Sequence, residues 1–396
     1  MPISKRTTKA IKEGGWIRRM FEIGIELKAK YGEANVFDLS LGNPVIEPPA
    51  LFTKRMRELA TSTVTGMHRY MPNAGYVSTR SRVAELLSRE TSIPFTANEI
   101  VMTCGAAGAL NVIFESILNP GDEVIIFAPF FGEFTYYIEN HRGNPVIAPT
   151  DNKFHPILSA LKPLIGPKTR AVLINSPNNP SGALYPQSLI RDLGSLLENK
   201  QKELQSEIFL IADEPYRRII FDGLTYPFIF PHYETTIAVH SHSKDLALPG
   251  ERIGYIAVNP DYKHKDQLID GLTFWNRSLG FVNAPAVIQT AIESLQGISV
   301  DIKQYQEKRD YLYDELTSFG YDIVKPQGAF YMYPKTPINN DLEFVQALQE
   351  QNVLVVPGSG FGTPGYFRIS YCVEDRILEG SIKGFRKVAK DYAISR

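Results

Sequence analysis

The sequence predicts an α/β fold: a largely parallel sheet with helices on both faces, followed by a smaller α+β unit. Two observations carry this. Between residues 99 and 258, seven short apolar runs (99–103, 123–128, 146–148, 170–175, 208–213, 236–240 and 252–258) alternate with helical stretches. Continuous apolar runs are what strands buried on both faces produce. Beyond residue 300 the pattern changes: helical periodicity at 301–319, 341–350 and 374–391 is interleaved with short strand-like pieces at 321–324, 329–333, 353–356 and 366–370.

The elements before the sheet read as helices. Residues 16–31 form an amphipathic stripe, with Trp16, Ile17, Met20, Phe21 and Leu27 at helical spacing. Helices are also expected at 53–61, 77–91 and 106–118. No repeat, low-complexity tract or Ser/Gly-rich linker separates the two units, so they are expected to pack tightly. A doubly wound sheet takes its ligands beyond the carboxyl ends of its strands. Chemistry is therefore sought in the polar residues just after the runs.

Composition narrows the function classes. The chain has 396 residues, 43% hydrophobic and 21% charged, which excludes a mainly disordered or fibrous protein. Lys plus Arg is 42 and Asp plus Glu is 43, so no global positive field attracts nucleic acid or an anionic membrane. Cys104 and Cys372 are too few for a disulfide framework and lack metal-ligand spacing; two buried thiols in a reducing, cytoplasmic compartment are expected. The best apolar run, 124–131, is broken by Pro129 and falls short of the roughly 18 residues of a membrane helix. Lys5, Arg6, Lys9 and Lys12 precede the first acid, Glu13, which reads as a solvated leading arm, with a transit peptide as the alternative.

Four polar groups follow the runs. Lys244 stands in Ser241-His242-Ser243-Lys244 after the run at 236–240. A lone lysine there is ordinarily a solvated surface residue; its company changes the reading. Asp213 closes an apolar run and opens Asp213-Glu214-Pro215-Tyr216. An acid in that place is desolvated and needs a cation or donors: a pyridinium nitrogen, a structural salt bridge or a helix start all qualify. Asn175-Ser176-Pro177-Asn178-Asn179-Pro180-Ser181-Gly182 follows another run and reads equally as an ordinary turn. Thr103-Cys104-Gly105-Ala106-Ala107-Gly108 passes from strand to helix through small residues. Its exposed N–H groups suit a phosphate, although close strand–helix packing would use the same residues. No GxGxxG fingerprint or Lys-Ser/Thr phosphate loop is present, which argues against a dinucleotide-dependent dehydrogenase.

The ordered set Gly42-Asn43-Pro44, Tyr70, Gly105-Ala106-Ala107, Asn179-Pro180-Ser181-Gly182, Asp213-Glu214-Pro215-Tyr216, Ser241-His242-Ser243-Lys244, Arg252 and Arg368 resembles the class I/II aminotransferases of the fold type I pyridoxal-phosphate enzymes. The likeness spans nearly the whole chain, and the SxSK block with Arg252 eight residues after Lys244 is its most specific part. It implies a large cofactor-binding domain at 46–295 with a mostly parallel seven-stranded sheet, a small α+β domain at 296–396, and an N-terminal arm and helix at 1–45 joining the small domain.

The resemblance also implies roles. Lys244 is the Schiff-base lysine for pyridoxal 5′-phosphate and then the proton carrier. Asp213 keeps the ring nitrogen protonated, Tyr216 and Asn179 hydrogen-bond the ring O3′, and Phe131 stacks on the ring. Gly105, Ala106 and Ala107, with Ser241, Ser243 and Arg252, hold the phosphate. Tyr70 reaches the phosphate from a partner subunit, so a homodimer is expected. Arg368 clamps the substrate α-carboxylate, braced by Asn179, with Gly42 allowing close backbone approach.

Two departures bear on substrate. The phosphate loop carries Ala106 and Ala107 where many members have Ser or Thr, and one aspartate-using subgroup has a Lys at the position of Ala107. Arg277 precedes Asn283-Ala284-Pro285, one residue out of register with an arginine that another subgroup lends across the dimer. It either binds a distal carboxylate or is a solvated helix-end charge. The expected activity is ping-pong transfer of an amino group from an L-amino acid (aspartate, alanine or glutamate) to a 2-oxo acid such as 2-oxoglutarate, within amino-acid metabolism. The alternatives are a carbon–sulfur β-lyase on the same scaffold and, less favoured, a non-catalytic cofactor-binding regulator.

Overall fold

The computed structural model describes residues 2–13 and 15–393, with the side chains of 12, 13, 17 and 18 outside that description. Among the described residues there are twelve strands: β1 (Phe37–Asp38), β2 (Ile100–Thr103), β3 (Glu123–Ala128), β4 (Asn144–Pro149), β5 (Thr169–Asn175), β6 (Phe209–Asp213), β7 (Thr236–Ser241), β8 (Gly254–Val258), β9 (Tyr331–Met332), β10 (Val353–Leu354), β11 (Val356–Pro357) and β12 (Phe367–Ser370).

The seven apolar runs are the seven strands of one sheet, in the order β2-β8-β7-β6-β5-β3-β4. The pairs β3/β4, β3/β5, β5/β6 and β6/β7 are parallel, whereas β8 runs antiparallel to both β7 and β2. Apolar composition alone could not disclose that reversal. The chain between β7 and β8 holds only the short helix His242–Asp245 and the turn Pro249–Glu251, too little for a parallel crossover. Both faces are covered, as continuous apolar runs require. Leu110, Ile113 and Phe114 of the helix Gly105–Ile117 pack with Ile126, Leu173, Ile211 and Val239. Ile190, Leu193 and Leu197 of the helix Gln187–Leu204 pack with Ile125, Val172, Ile174 and Leu210 on the other side.

The C-terminal part holds the antiparallel sheet β11-β12-β9 and the parallel pair β1-β10, with Phe37 opposite Val353. Its core joins Tyr305, Leu312 and Leu316 to Phe344, Phe367 and Phe385. Two expectations need correction. Residues 321–324 are not a strand: the Tyr321 ring is buried, its hydroxyl donates to Phe385 O (3.0 Å), and Pro326 follows, which has no N–H to give a ladder. The run at 353–356 divides between two sheets, β10 pairing with β1 and β11 with β12.

The helix Trp16–Tyr31 buries Met20 against this core, with Trp16 and Ile23 beside it. Phe21, expected on that face, is 47% exposed, because one residue beyond Met20 turns it about 100° around the helix axis. The side chain of Ile17 lies outside the described residues. Ser370 N–H donates to Leu39 O (2.8 Å), which brings the segment before Gly42 alongside the end of β12.

Candidate active site

Asn175, Asp213 and Ser241 end the neighbouring parallel strands β5, β6 and β7, so their side chains gather at the carboxyl edge of the sheet. A cavity of about 310 Å³ opens there. Of the residues singled out from the sequence, Gly42, Ala106, Ala107, Phe131, Asn179, Asp213, Tyr216, Ser241, Ser243, Lys244, Arg252 and Arg368 all line it.

Lys244 lies in the short helix after β7. Its Nζ donates to Gly42 O (2.7 Å) and lies 5.3 Å from the centre of the Phe330 ring. Burial, aided by the charges of Arg368 and Arg252, lowers the amine to about 8. Behind it, Asp245 accepts from His240 Nε2 (3.0 Å) and His242 Nδ1 (3.2 Å), which pins the turn carrying the lysine. Gly42 has no room for a side chain: a Cβ there would overlap the Tyr331 hydroxyl.

Asp213 is buried, and its two oxygens differ. Oδ2 accepts from Asn175 Nδ2 (3.1 Å), while Oδ1 has no hydrogen-bond partner. Burial, then the neighbouring Glu214 charge, raises this carboxyl to about 7. Tyr216, also buried, shares a hydrogen bond with the Tyr331 hydroxyl (2.9 Å), and burial keeps its phenol protonated well above the usual range. Phe131 packs edge-on against Phe134, with ring centres 5.5 Å apart.

At the opposite end, the helix Gly105–Ile117 begins beside Arg252. Gly105 has φ 72°, and a Cβ on it would come within 2.8 Å of Arg252 Nη2. That left-handed turn is what lets the guanidinium lie against the helix start. Arg252 itself holds φ 51° and donates to Pro249 O (2.9 Å). The Ser241 and Ser243 hydroxyls are 2.8 Å apart. Cys104, just before this helix, is free but only half-buried, contrary to the buried thiol expected; Cys372 is free and buried.

Arg368, on β12, is 1% exposed. Nη1 donates to Asn179 Oδ1 (3.0 Å) and Nη2 to Ser40 O (2.6 Å), both neutral acceptors, while Nε has no partner. Its guanidinium lies 4.6 Å from the centre of the Tyr331 ring.

Three residues singled out from the sequence do not line the cavity, and the first, Gly105, only starts the helix beside Arg252. Tyr70 is 87% exposed, and Arg277 is exposed in the last turn of the helix Lys265–Ser278. Sequence reasoning missed Glu133 and Tyr137, which also line the cavity, and took Asn175 only as the start of a turn. Asn175 closes the run that ends at β5, and the rule that pointed to Asp213 applied to it equally. Glu133 and Tyr137 lie one helical turn apart and carried no comparable signal.

The family description "Aminotransferase class I and II" matches residues 34–380. This chain belongs to that family. It is an enzyme that transfers amino groups with pyridoxal 5′-phosphate, on the fold type I architecture, and the β-lyase alternative is not favoured. A probable aspartate/prephenate aminotransferase of Thermus aquaticus is 30% identical, covering 91% of this chain and 93% of that protein. An aspartate aminotransferase of a Bacillus species is 30% identical over 93% of this chain and 96% of its own length. Among solved structures, an amino transferase from Eubacterium rectale superposes with TM-score 0.95 at 39% identity over 99% of both chains. The Thermus thermophilus aspartate aminotransferase with maleate superposes with TM-score 0.85 at 26% identity, over 98% of this chain and 99% of that one. No helix among the described residues is long and apolar enough to cross a membrane.

Proposed function

We propose that this aminotransferase works from the cavity around Lys244, with an α-amino acid as donor and a 2-oxo acid as acceptor. The observation that carries the assignment is the pair facing into that cavity: a half-buried Lys244 amine, lowered to about 8, and Asp213 with an unpartnered oxygen. Asp213 Oδ1 lacks what a protonated ring nitrogen supplies. The Ser241–Ser243 pair, the start of the helix Gly105–Ile117 and Arg252, engaged only by neutral carbonyls, suit a phosphate. These residues fit pyridoxal 5′-phosphate. When bound, that group supplies the electron sink for breaking bonds at the substrate α-carbon.

The remaining chemistry is assigned to this chain. Lys244 would hold the cofactor through its amine and, once freed by the substrate amine, would carry the proton from the substrate α-carbon to the former aldehyde carbon two atoms away. Asp213, kept from water, would hold the proton of the ring nitrogen. Tyr216, supported by Tyr331, and Asn179 would hold the ring hydroxyl, and Phe131 would pack on the ring. Arg368, already oriented by Asn179 and Ser40, binds the substrate α-carboxylate, and Gly42 leaves its space free. Asn175 fixes Asp213 and, through its Oδ1, the Asn179 N–H (2.7 Å).

The working unit is a homodimer, in which Tyr70 completes the phosphate site of the partner. Its 87% exposure supports that reading, since no described residue of its own chain covers it. Its place is the cytoplasm. The division into 1–45, 46–295 and 296–396 is supported by β1, whose pairing with β10 ties the arm to the small unit. Aspartate, for which several relatives are named, alanine and glutamate, with 2-oxoglutarate, are the first substrates to assay. The test is a half-reaction screen: the cofactor absorbance of purified holoenzyme is followed as each amino acid is added. Loss of the absorbance with a defined set of donors supports transamination, and no change with any donor overturns it.

A further inference from the structure

Glu133 is the acid for which these roles leave no counter-charge. It opens the helix Glu133–Asn140 and lines the cavity with Phe131, Tyr137, Tyr331 and Arg368. Its Oε2 is shielded from solvent and has no hydrogen-bond partner. Burial raises this carboxyl, while its own backbone N–H and then the charge of Arg368, which lines the same cavity, act in the opposite sense.

A charge inventory follows. The basic residues lining the cavity, among the described residues, are Lys244, Arg252 and Arg368, and the acids are Asp213 and Glu133. With the cofactor and an α-amino acid in place, Lys244, Arg252 and Asp213 are engaged by the cofactor and Arg368 by the α-carboxylate. Among the charged residues this chain brings to the lining, Glu133 alone is left over. Ala106 and Ala107 add no charge on the neighbouring wall. A second carboxylate arriving here loses its water and meets an acid. A side chain ending in an N–H donor gives Glu133 the partner it lacks, and a cationic one also holds it ionised.

We infer that Glu133 is a specificity residue that selects α-amino acids whose side chains end in an N–H donor, cationic or amide, over dicarboxylic ones. The inference rests on the reading of Arg368 as the α-carboxylate clamp.

Two non-reacting probes test it on the holoenzyme by calorimetry: 4-guanidinobutanoate, with one carboxylate and a distal guanidinium, and glutarate, with two carboxylates. The guanidino acid should bind at least about tenfold more tightly, Glu133→Gln should erase most of that preference, and Glu133→Lys should reverse it. In the half-reaction, arginine, lysine or glutamine should exceed aspartate and glutamate in kcat/KM. Glutarate binding as tightly as the guanidino acid, or an equal loss for both probes in Glu133→Gln, overturns the inference. Arg368→Ala separates the two readings. If it leaves the binding of both probes unchanged, the clamp assignment fails and this inference with it. If both weaken while glutarate stays preferred, only the inference fails.

Discussion

Arg368 and Asn179, 189 residues apart, meet in a hydrogen bond of 3.0 Å from Nη1 to Oδ1. The Asn179 N–H is in turn held by Asn175, whose side-chain amide holds Asp213. The group assigned to the substrate carboxylate and the group assigned to the cofactor ring thus share one hydrogen-bonded chain through two asparagines. A disturbance at either end is expected to reach the other.

Arg368→Lys keeps the charge and removes the planar fork, so the hydrogen bonds to Asn179 and Ser40 cannot both be kept. We expect kcat/KM for the amino donor to fall about 100-fold. Asn179→Ala should reproduce part of that loss with Arg368 intact. Steady-state kinetics of both variants and the double mutant check this; fully additive losses would show that the pair is not coupled.

Asp213→Asn should weaken the cofactor and strengthen the empty protein. A carboxyl raised from 3.8 to about 7 costs stability as pH rises through that window, and the full cost is present above it. With the cofactor absent, the amide should therefore raise the unfolding free energy near pH 8, by up to about 4 kcal/mol. With the cofactor present, most turnover should be lost. Denaturant titrations with and without pyridoxal 5′-phosphate measure both; an apoprotein destabilised by the amide would contradict the assignment.

Lys244 should attach the cofactor aldehyde in its neutral form only. With its amine lowered to about 8, the neutral fraction grows as pH rises through 8 and levels off above it. The rate of covalent incorporation into apoprotein should follow that curve. Arg368→Ala removes a charge that lowers the amine, so the midpoint should move upward. Lys244→Ala should abolish borohydride labelling and turnover together, and label fixed at another lysine would overturn the role.

Composite sites predict complementation. Tyr70→Ala and Lys244→Ala homodimers should each be impaired, and mixing them after dissociation should restore activity at those hybrid sites that hold both native residues. Sedimentation should find the active species dimeric; a fully active monomer at assay concentration would overturn it.

The sheet was legible because burial on both faces leaves a one-dimensional trace, a continuous apolar run, at β2, β3 and β5 to β8; the edge strand β4, largely exposed, left only the short run 146–148. The direction of β8 left no such trace, since apolar composition is the same for either sense. The error at 321–324 has the same origin in reverse: Tyr321, Ile323 and Val324 are apolar because they pack into the C-terminal core, not because they pair. Lys244, Asp213 and Arg252 were legible through their spacing and their place after strands. Glu133 was not: an acid in the first turn of a helix is ordinary, and only the fold reveals that its Oε2 is sealed without a partner. The Tyr216–Tyr331 contact, spanning 115 residues, is likewise a product of the two units meeting.

Arg368 donates to Ser40 O across 328 residues, and β1 waits for β10. The pocket therefore has no existence in a growing chain: until residue 368 has left the ribosome, one wall is missing. At about 5–20 residues per second, the segment around Ser40 waits roughly 15–70 s for its partner. Cofactor loading belongs to the finished polypeptide, and a nascent chain stalled before β12 would present an exposed, unfilled sheet edge to the chaperones instead of a pocket to the vitamin.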